Sequence, residues 1–349
     1  MSSHSYKVLT PSQVSHFMEH GYVVIRGCFS RAASDEWTRD VWTRLGMDPN
    51  DKTTWTRERT NMPEHRRLKV AEFAPRAWDA ICDLVGGEER VTDKSKTWSD
   101  SFIVNLGTPE GEGREYAPKE LEGWHVDGDF FIHFLDSPEQ ALLVIPLFTD
   151  ILPNGGGTWI CTEGPARIGQ WLYDHPQGVT PHMMPVDSPT ESDPGLKFFN
   201  DTVQKCAAAS FHEMTGNVGD VILLHPLMLH SASKNGRRLA RIITNPPVSL
   251  KEPFNFDRDA DAGDGGYSLV ELKTIRDLGG QDKLRGWKIQ GERKAVVPER
   301  LRVQAKWMEE ENRRLRESGV EYKDRTQTEE MVLEQAKGLK PKMESVAVA

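Results

Sequence analysis

In the middle of the chain, Gly123-Trp124-His125-Val126-Asp127-Gly128-Asp129-Phe130-Phe131 sets an imidazole and two carboxylates among large aromatic side chains. Along an extended backbone alternate side chains share a face, so His125 and Asp127 can close on one metal ion while Val126 points the other way. Read alone, the stretch fits a solvated strand end equally well. Two ligands are too few for a catalytic metal, and a third has to come from another segment. Gly219-Asp220-Val221-Ile222-Leu223-Leu224-His225-Pro226-Leu227-Met228-Leu229-His230 offers two candidates. Its Gly-Asp turn launches an apolar strand whose ladder Pro226 interrupts. His230 lies past that bend, before the small polar residues Ser231 to Asn235, whereas His225 sits inside the apolar run and reads as a packed group. The spacing favours His230.

Two neutral imidazoles and one carboxylate on one face of an octahedral ion leave three positions open, the arrangement that non-haem Fe(II) uses for a cosubstrate and O2. Zinc accepts the same donors. Arg241 follows within the apolar run Leu239-Ala240-Arg241-Ile242-Ile243. A guanidinium aimed into a β core needs a partner, and its fork matches a carboxylate through two parallel bonds. That partner is either a structural Asp or Glu or, beside an open metal site, the carboxylate of a cosubstrate.

These residues need a scaffold to bring them together. Thr10-Pro11-Ser12-Gln13 opens a helix that Gly21 closes, and Tyr22 to Ile25 follows as a strand. A second helix is expected from Ser30 through Leu45, and a third around Trp78, Ile81 and Val85, so the first hundred residues read as mostly helical. Short β-prone runs then take over: 102–104, 123–134, 141–148, 158–160, 221–224 and 239–244. Few crossover helices separate them, which favours antiparallel pairing in a sandwich or barrel. The exception is a short helix over 166–175. Residues 187–204 read as a long loop of the kind that often serves as a lid. Past Pro253 the chain is charged, with Leu301, Met308 and Leu315 seven residues apart on one helix and Val332, Ala336 and Leu339 on another. These helices are expected to lie on the core, with a homodimer contact or a flap over the site as alternative uses.

The 349 residues carry 37% hydrophobic side chains and a net charge of -9, which suits a folded domain and argues against a nucleic-acid partner. Four scattered cysteines without a Cys-x-x-Cys pair read as core residues of a reducing compartment. No apolar run reaches membrane-spanning length and Met1 to Tyr6 lacks a signal-peptide pattern, so a cytoplasmic protein without membrane partners is expected. The sequence contains neither a Gly-x-Ser-x-Gly elbow nor a Gly-x-Gly-x-x-Gly turn, which leaves serine-hydrolase and nicotinamide chemistry without an anchor.

His125-Val126-Asp127, then His230 behind Gly219-Asp220, then Arg241, together with Leu9-Thr10-Pro11 and Gly21-Tyr22-Val23-Val24-Ile25-Arg26-Gly27, closely resemble the phytanoyl-CoA dioxygenase family of Fe(II)/2-oxoglutarate oxygenases. The likeness runs in order over about 8–250. It implies an α+β protein with a mainly β core: a double-stranded β-helix, or jelly roll, with N-terminal helices and a C-terminal helical extension. Residues 1–254 would form the oxygenase domain and 255–349 a charged extension packed on it. By the same likeness His125, Asp127 and His230 bind Fe(II), and Arg241 grips 2-oxoglutarate. The cosubstrate and O2 would then yield succinate and CO2 as a small-molecule substrate is oxidised. Halogenating relatives have a small residue where Asp127 stands, so the carboxylate points to hydroxylation, desaturation or ring formation.

The chain departs from the family pattern at Ala232, where a hydroxyl residue is common, and at Glu163-Gly164-Pro165, where Gly-Ser-His is usual. Thr158 and Asn105 are candidates for further cosubstrate contacts. Phe131, Trp124 and His133 are candidates for the substrate pocket, with core packing as the competing role for each. A small metabolite, of the kind met in secondary metabolism, fits this acidic chain better than an acyl-CoA. Two other readings stay open: a jelly-roll binding protein without turnover, and a cupin-type metal-dependent isomerase or hydrolase.

Overall fold

The computed structural model describes residues 6–188, 195–258, 266–298 and 300–322. Helix α1 (Pro11–His20) begins at a reciprocal cap, Thr10 and Gln13 each bonding the other's backbone N–H, and ends where Gly21 takes φ 75°. Strand β1 (Tyr22–Ile25) follows. The helix expected from Ser30 to Leu45 is two, α2 (Arg31–Thr38) and α3 (Val41–Leu45). The break falls at Asp40, whose carboxylate accepts from the Tyr322 hydroxyl at 3.0 Å, a tertiary partner that local periodicity does not reveal.

The N-terminal part is also less helical than its sequence suggests. Strands β2 (Arg59–Asn61) and β3 (Arg67–Lys69) precede helices α4 (Val70–Phe73) and α5 (Pro75–Val85), and β4 (Thr97–Ser99) and β5 (Ile103–Asn105) come next. Three-residue strands are too short to show a period-2 pattern, and sheet partners far along the chain define them. Strands β6 (Leu142–Pro146) and β7 (Thr158–Cys161) lead to α6 (Gly164–Asp174) and α7 (Lys197–Gln204). The second half of the expected 187–204 loop is therefore helical, because Phe199 and Val203, four apart, are both buried. Then come β8 (Phe211–Met214), β9 (Val221–Leu224), β10 (Leu229–Ala232), β11 (Arg241–Ile243) and β12 (Pro247–Val248), followed by α8 (Leu269–Asp277), α9 (Gln281–Leu284) and α10 (Arg300–Glu317). The helix read through Val332, Ala336 and Leu339 lies outside the described residues, as does the 189–194 part of the loop.

All named strand pairs are antiparallel, in sheets ordered β1-β9-β6-β12, β10-β7-β8, β11-β5-β2 and β3-β4. A bridge between Leu147 and Ile243 joins the first sheet to the third. The core explains why β6 and β9 read as unbroken apolar runs. Leu143, Ile145, Ile222 and Leu224 pack inward with Ile160 and Met214 of the β10-β7-β8 sheet. Their neighbours Leu142, Val144, Val221 and Leu223 face outward into the larger cluster shared with the helices. Strands buried on both faces lose alternation because both sides exclude water. The result is an α+β molecule whose main feature is an antiparallel sandwich with helices laid around it.

A charged cluster ties α10 to the N-terminal elements. Arg44 is 1% exposed, and its guanidinium meets Glu311 at 2.8 Å and Asp100 at 3.2 Å. His65 is also buried and contacts Glu311 at 2.9 Å. Met308 and Leu315, two of the three residues read as the apolar seam of this helix, are fully buried.

Candidate metal centre

The segment 123–134, expected to be a strand, makes no regular ladder. It runs extended and touches its neighbours through single bridges: His125 with His230, Phe131 with Ala295, and His133 with Val179. The first matters most. Reciprocal main-chain bonds of 3.0 and 2.9 Å hold His125 against His230 on the edge of β10. The two rings lie 4.3 Å apart, and the two histidines and Asp127 each offer a ligand atom within 4.8 Å of the others. Gly128 follows at φ 121°, a conformation that side chains resist, and a Cβ there would lie 2.6 Å from the Phe131 ring. That turn brings the chain back over the site.

The ring tautomers suit a metal. Nδ1 of His125 donates to the Gly123 carbonyl at 2.8 Å, and Nδ1 of His230 donates to the Met228 carbonyl at 3.0 Å. Each Nε2 is left to face Asp127 Oδ1, at 3.4 and 3.3 Å. Backbone acceptors on the far nitrogen fix both the tautomer and the orientation of a ligating imidazole. Burial disfavours the Asp127 charge, but the imidazoles of His230 and His125 outweigh it and hold the carboxyl well below the usual range. For His125 burial again opposes charge and Asp127 again prevails, so its pKa is raised. Three donors that gather positive charge between them fit a cation, which takes the protons' place on binding.

Asn245 completes the arrangement, since its Nδ2 donates to Asp127 Oδ2 at 3.2 Å and leaves Oδ1 to the histidines. No sequence motif singles this residue out. A signal existed, because Arg241, Ile243 and Asn245 alternate along β11 and its continuation and so face the same way.

Arg241 is 2% exposed. One amino group donates to Thr158 Oγ1 at 3.0 Å, while Nε and Nη1 have no hydrogen-bond partner among the described residues. Burial, and then the charge of Arg59, pull its pKa down to about 9. No Asp or Glu among the described residues pairs with it, so the structural-partner alternative lacks a donor-acceptor match. An unsatisfied, buried fork fits a carboxylate supplied from outside the chain.

The remaining sequence candidates divide by geometry. Thr158 holds Arg241. Asn105 spends its amide on main chain, donating to Ser233 O at 2.8 Å and accepting from Gly107 N at 3.2 Å. Phe131 and His133 stack at 4.3 Å and line a small cavity with Asp127, Leu227 and Phe254. His133 Nε2 donates to Gly128 O at 2.7 Å, and burial pushes its pKa down to about 4. Trp124 is fully buried, its indole N–H donating to Pro118 O at 3.0 Å and its ring 5.5 Å from that of Phe211, and it is not among the residues lining that cavity. His225 stands apart from the cluster, bonded to Thr274 Oγ1 at 2.9 Å, and burial pushes its pKa down to about 3.

An antiparallel sandwich that presents a His-x-Asp pair, a distant His and a buried carboxylate-seeking Arg at one end defines a class, the 2-oxoglutarate-dependent non-haem iron oxygenases. The family model described as phytanoyl-CoA dioxygenase (PhyH) matches residues 17–238, stopping just short of Arg241. The chain belongs to the phytanoyl-CoA dioxygenase family and is an oxidoreductase of that class. No curated protein matches it. Among solved structures it is similar to the non-heme alpha ketoglutarate dependent carbocyclase SnoK from nogalamycin biosynthesis, at 14% identity and TM-score 0.36 over 69% of this chain and 84% of that one. It is also similar to HygX from Streptomyces hygroscopicus, solved with nickel, 2-oxoglutarate and hygromycin B, at 15% identity and TM-score 0.38 over 74% and 96%. EctD from S. alaskensis, in its apoform, gives 17% identity and TM-score 0.40 over 72% and 82%.

Proposed function

We propose that the enzyme oxidises a small-molecule metabolite, by hydroxylation, desaturation or ring formation, at an iron held by His125, Asp127 and His230. The observation that carries this reading is Arg241: two of its nitrogens are buried without partners, on the sandwich face that also presents Asn245 toward Asp127. Bound iron with 2-oxoglutarate and O2 would supply the oxidising power, releasing succinate and CO2. The chain's own residues do the positioning. The Gly123 and Met228 carbonyls keep each Nε2 free to ligate, and Asn245 holds one oxygen of Asp127 so that the other faces the histidines. Thr158 aims the Arg241 fork at the distal carboxylate of 2-oxoglutarate, and Asn105, bonded beside it, steadies the strand on which that fork stands. Phe131 and His133 shape the substrate pocket next to Asp127, with Trp124 supporting its wall from behind.

The proposed division is a sandwich domain over 1–254, a double-stranded β-helix in this reading, with 255–349 as an extension packed on it. Supporting contacts are the bonds of Ile132 N to Lys294 O at 2.9 Å and Val296 N to Phe130 O at 2.7 Å, and the ion pair of Arg300 with Asp129 at 2.5 Å. A homodimer through the C-terminal helices and a cytoplasmic location complete the proposal; no described helix is long and apolar enough to cross a membrane. The test is anaerobic titration of the purified chain with Fe(II) and then 2-oxoglutarate, followed by succinate release in air over a panel of metabolites. Binding of both, with substrate-stimulated succinate, is expected. Activity that needs neither 2-oxoglutarate nor O2 would favour an isomerase or hydrolase, and binding without any turnover a binding protein.

A further inference from the structure

Strand β2 lies at the edge of the β11-β5-β2 sheet and places a second guanidinium beside the first. Arg241 pairs with Asn105, and Asn105 pairs on its other side with Arg59, so the three stand in one row. Residues directly opposite in an antiparallel ladder project from the same face, which puts Arg59 on the inward side, two strand spacings or roughly 10 Å from Arg241. Across that row the charge of Arg59 is felt by Arg241 and adds to the effect of burial in lowering its pKa.

The row is buried at one end and open at the other. Arg241 is covered, whereas Arg59 and Asn61, the inward residues of β2, are exposed, and the alternate residue Thr60 is buried. Among the metal-binding side chains His125 is the most open, 36% exposed against 7% for His230. The row therefore opens to solvent along β2, and the three-residue cluster opens at His125.

Arg59 also lacks what nearby cations have. Arg57 faces Glu310, Arg66 faces Asp100, Arg67 faces Glu64, and Lys234 faces Glu58. No carboxylate or carbonyl among the described residues pairs with Arg59. A guanidinium kept at the rim of a metal site, repelled by a second one and not neutralised by the chain, is arranged for an anion from outside.

The geometry points to Arg59 as the substrate-recognition residue: the molecule oxidised here carries a carboxylate or phosphate that docks on Arg59 while its reacting carbon lies toward His125, Asp127 and His230. This inference rests on the oxygenase reading above. The same oxyanion chemistry could come from the cosubstrate, and the experiment separates the two sources. Full-length protein loaded with nickel and 2-oxoglutarate is titrated calorimetrically with small aliphatic and aromatic carboxylates and phosphate monoesters. Each acid is paired with its primary amide or its parent alcohol, and the same pairs are tested for succinate release by the iron form.

In the wild type the anionic member of a pair should bind and stimulate about ten- to hundredfold better than its neutral partner. Arg59→Ala should erase that preference, Arg59→Lys should keep part of it and Arg59→Glu should reverse it, with the 2-oxoglutarate affinity of Arg59→Ala within about threefold of wild type. A panel in which no anion outperforms its neutral partner would overturn the inference. So would a tenfold or greater loss of 2-oxoglutarate affinity in Arg59→Ala, which would assign the residue to the cosubstrate. A wild type that binds neither nickel nor 2-oxoglutarate would sink the oxygenase reading itself, whereas normal binding of both without charge preference would sink this inference alone.

Discussion

Replacing Arg241 by Met should have opposite effects on stability and on cosubstrate binding. In the ligand-free protein the guanidinium is 2% exposed and bonded only to Thr158, with Nε and Nη1 unsatisfied. An unpaired buried polar group costs about 1–3 kcal/mol, and a Met side chain of similar length removes that cost without leaving a large void. Losing the Thr158 bond offsets about 1 kcal/mol of that, so the variant should match the wild type or gain up to about 2 kcal/mol in the absence of ligand. With 2-oxoglutarate the sign reverses. Two charge-assisted bonds at about 1.5–3 kcal/mol each are lost, which raises Kd by roughly two to four orders of magnitude. Urea unfolding with and without 2-oxoglutarate reads both terms. At about one hundred times Kd the wild type should gain about 2.7 kcal/mol from the ligand and the variant almost nothing. A variant less stable than wild type without ligand, yet binding 2-oxoglutarate with unchanged affinity, would show that Arg241 is a structural cation and refute the reasoning.

Asp127→Ala should abolish iron retention in equilibrium dialysis while leaving a cooperative thermal transition. Asn245→Ala should weaken metal binding by about ten- to hundredfold through the freed Asp127 carboxylate, as measured by competition with a chelator. Glu311→Ala strands the Arg44 guanidinium and should cost about 3–5 kcal/mol in urea unfolding, less if Asp100 compensates fully. His225, with its pKa pushed down to about 3, stabilises the fold most above the unfolded-state value near 6.5, and that contribution is lost as the pH falls toward 3. His225→Gln should therefore narrow its stability gap to wild type as acid is added, by up to about 1.4 kcal/mol per pH unit, while metal affinity stays the same.

The candidate ligands and their local geometry were legible from short stretches of sequence. His125 and Asp127 share a face because any extended chain alternates, and the Pro226 bend between β9 and β10 separates the packed His225 from the available His230. The caps of α1, the apolar strands β6 and β9 and the out-of-place Arg241 were legible for the same reason: their causes lie within a few residues. Contacts between residues far apart in the chain set the rest. Residues 123–134 form no ladder, and the single His125–His230 bridge does the work expected of a strand. Strand β2 and the break at Asp40 exist because of Asn105 and Tyr322, and Asn245 matters because Asp127 lies within hydrogen-bond reach. Periodicity reports which way a side chain faces, but only the folded chain supplies what it meets there.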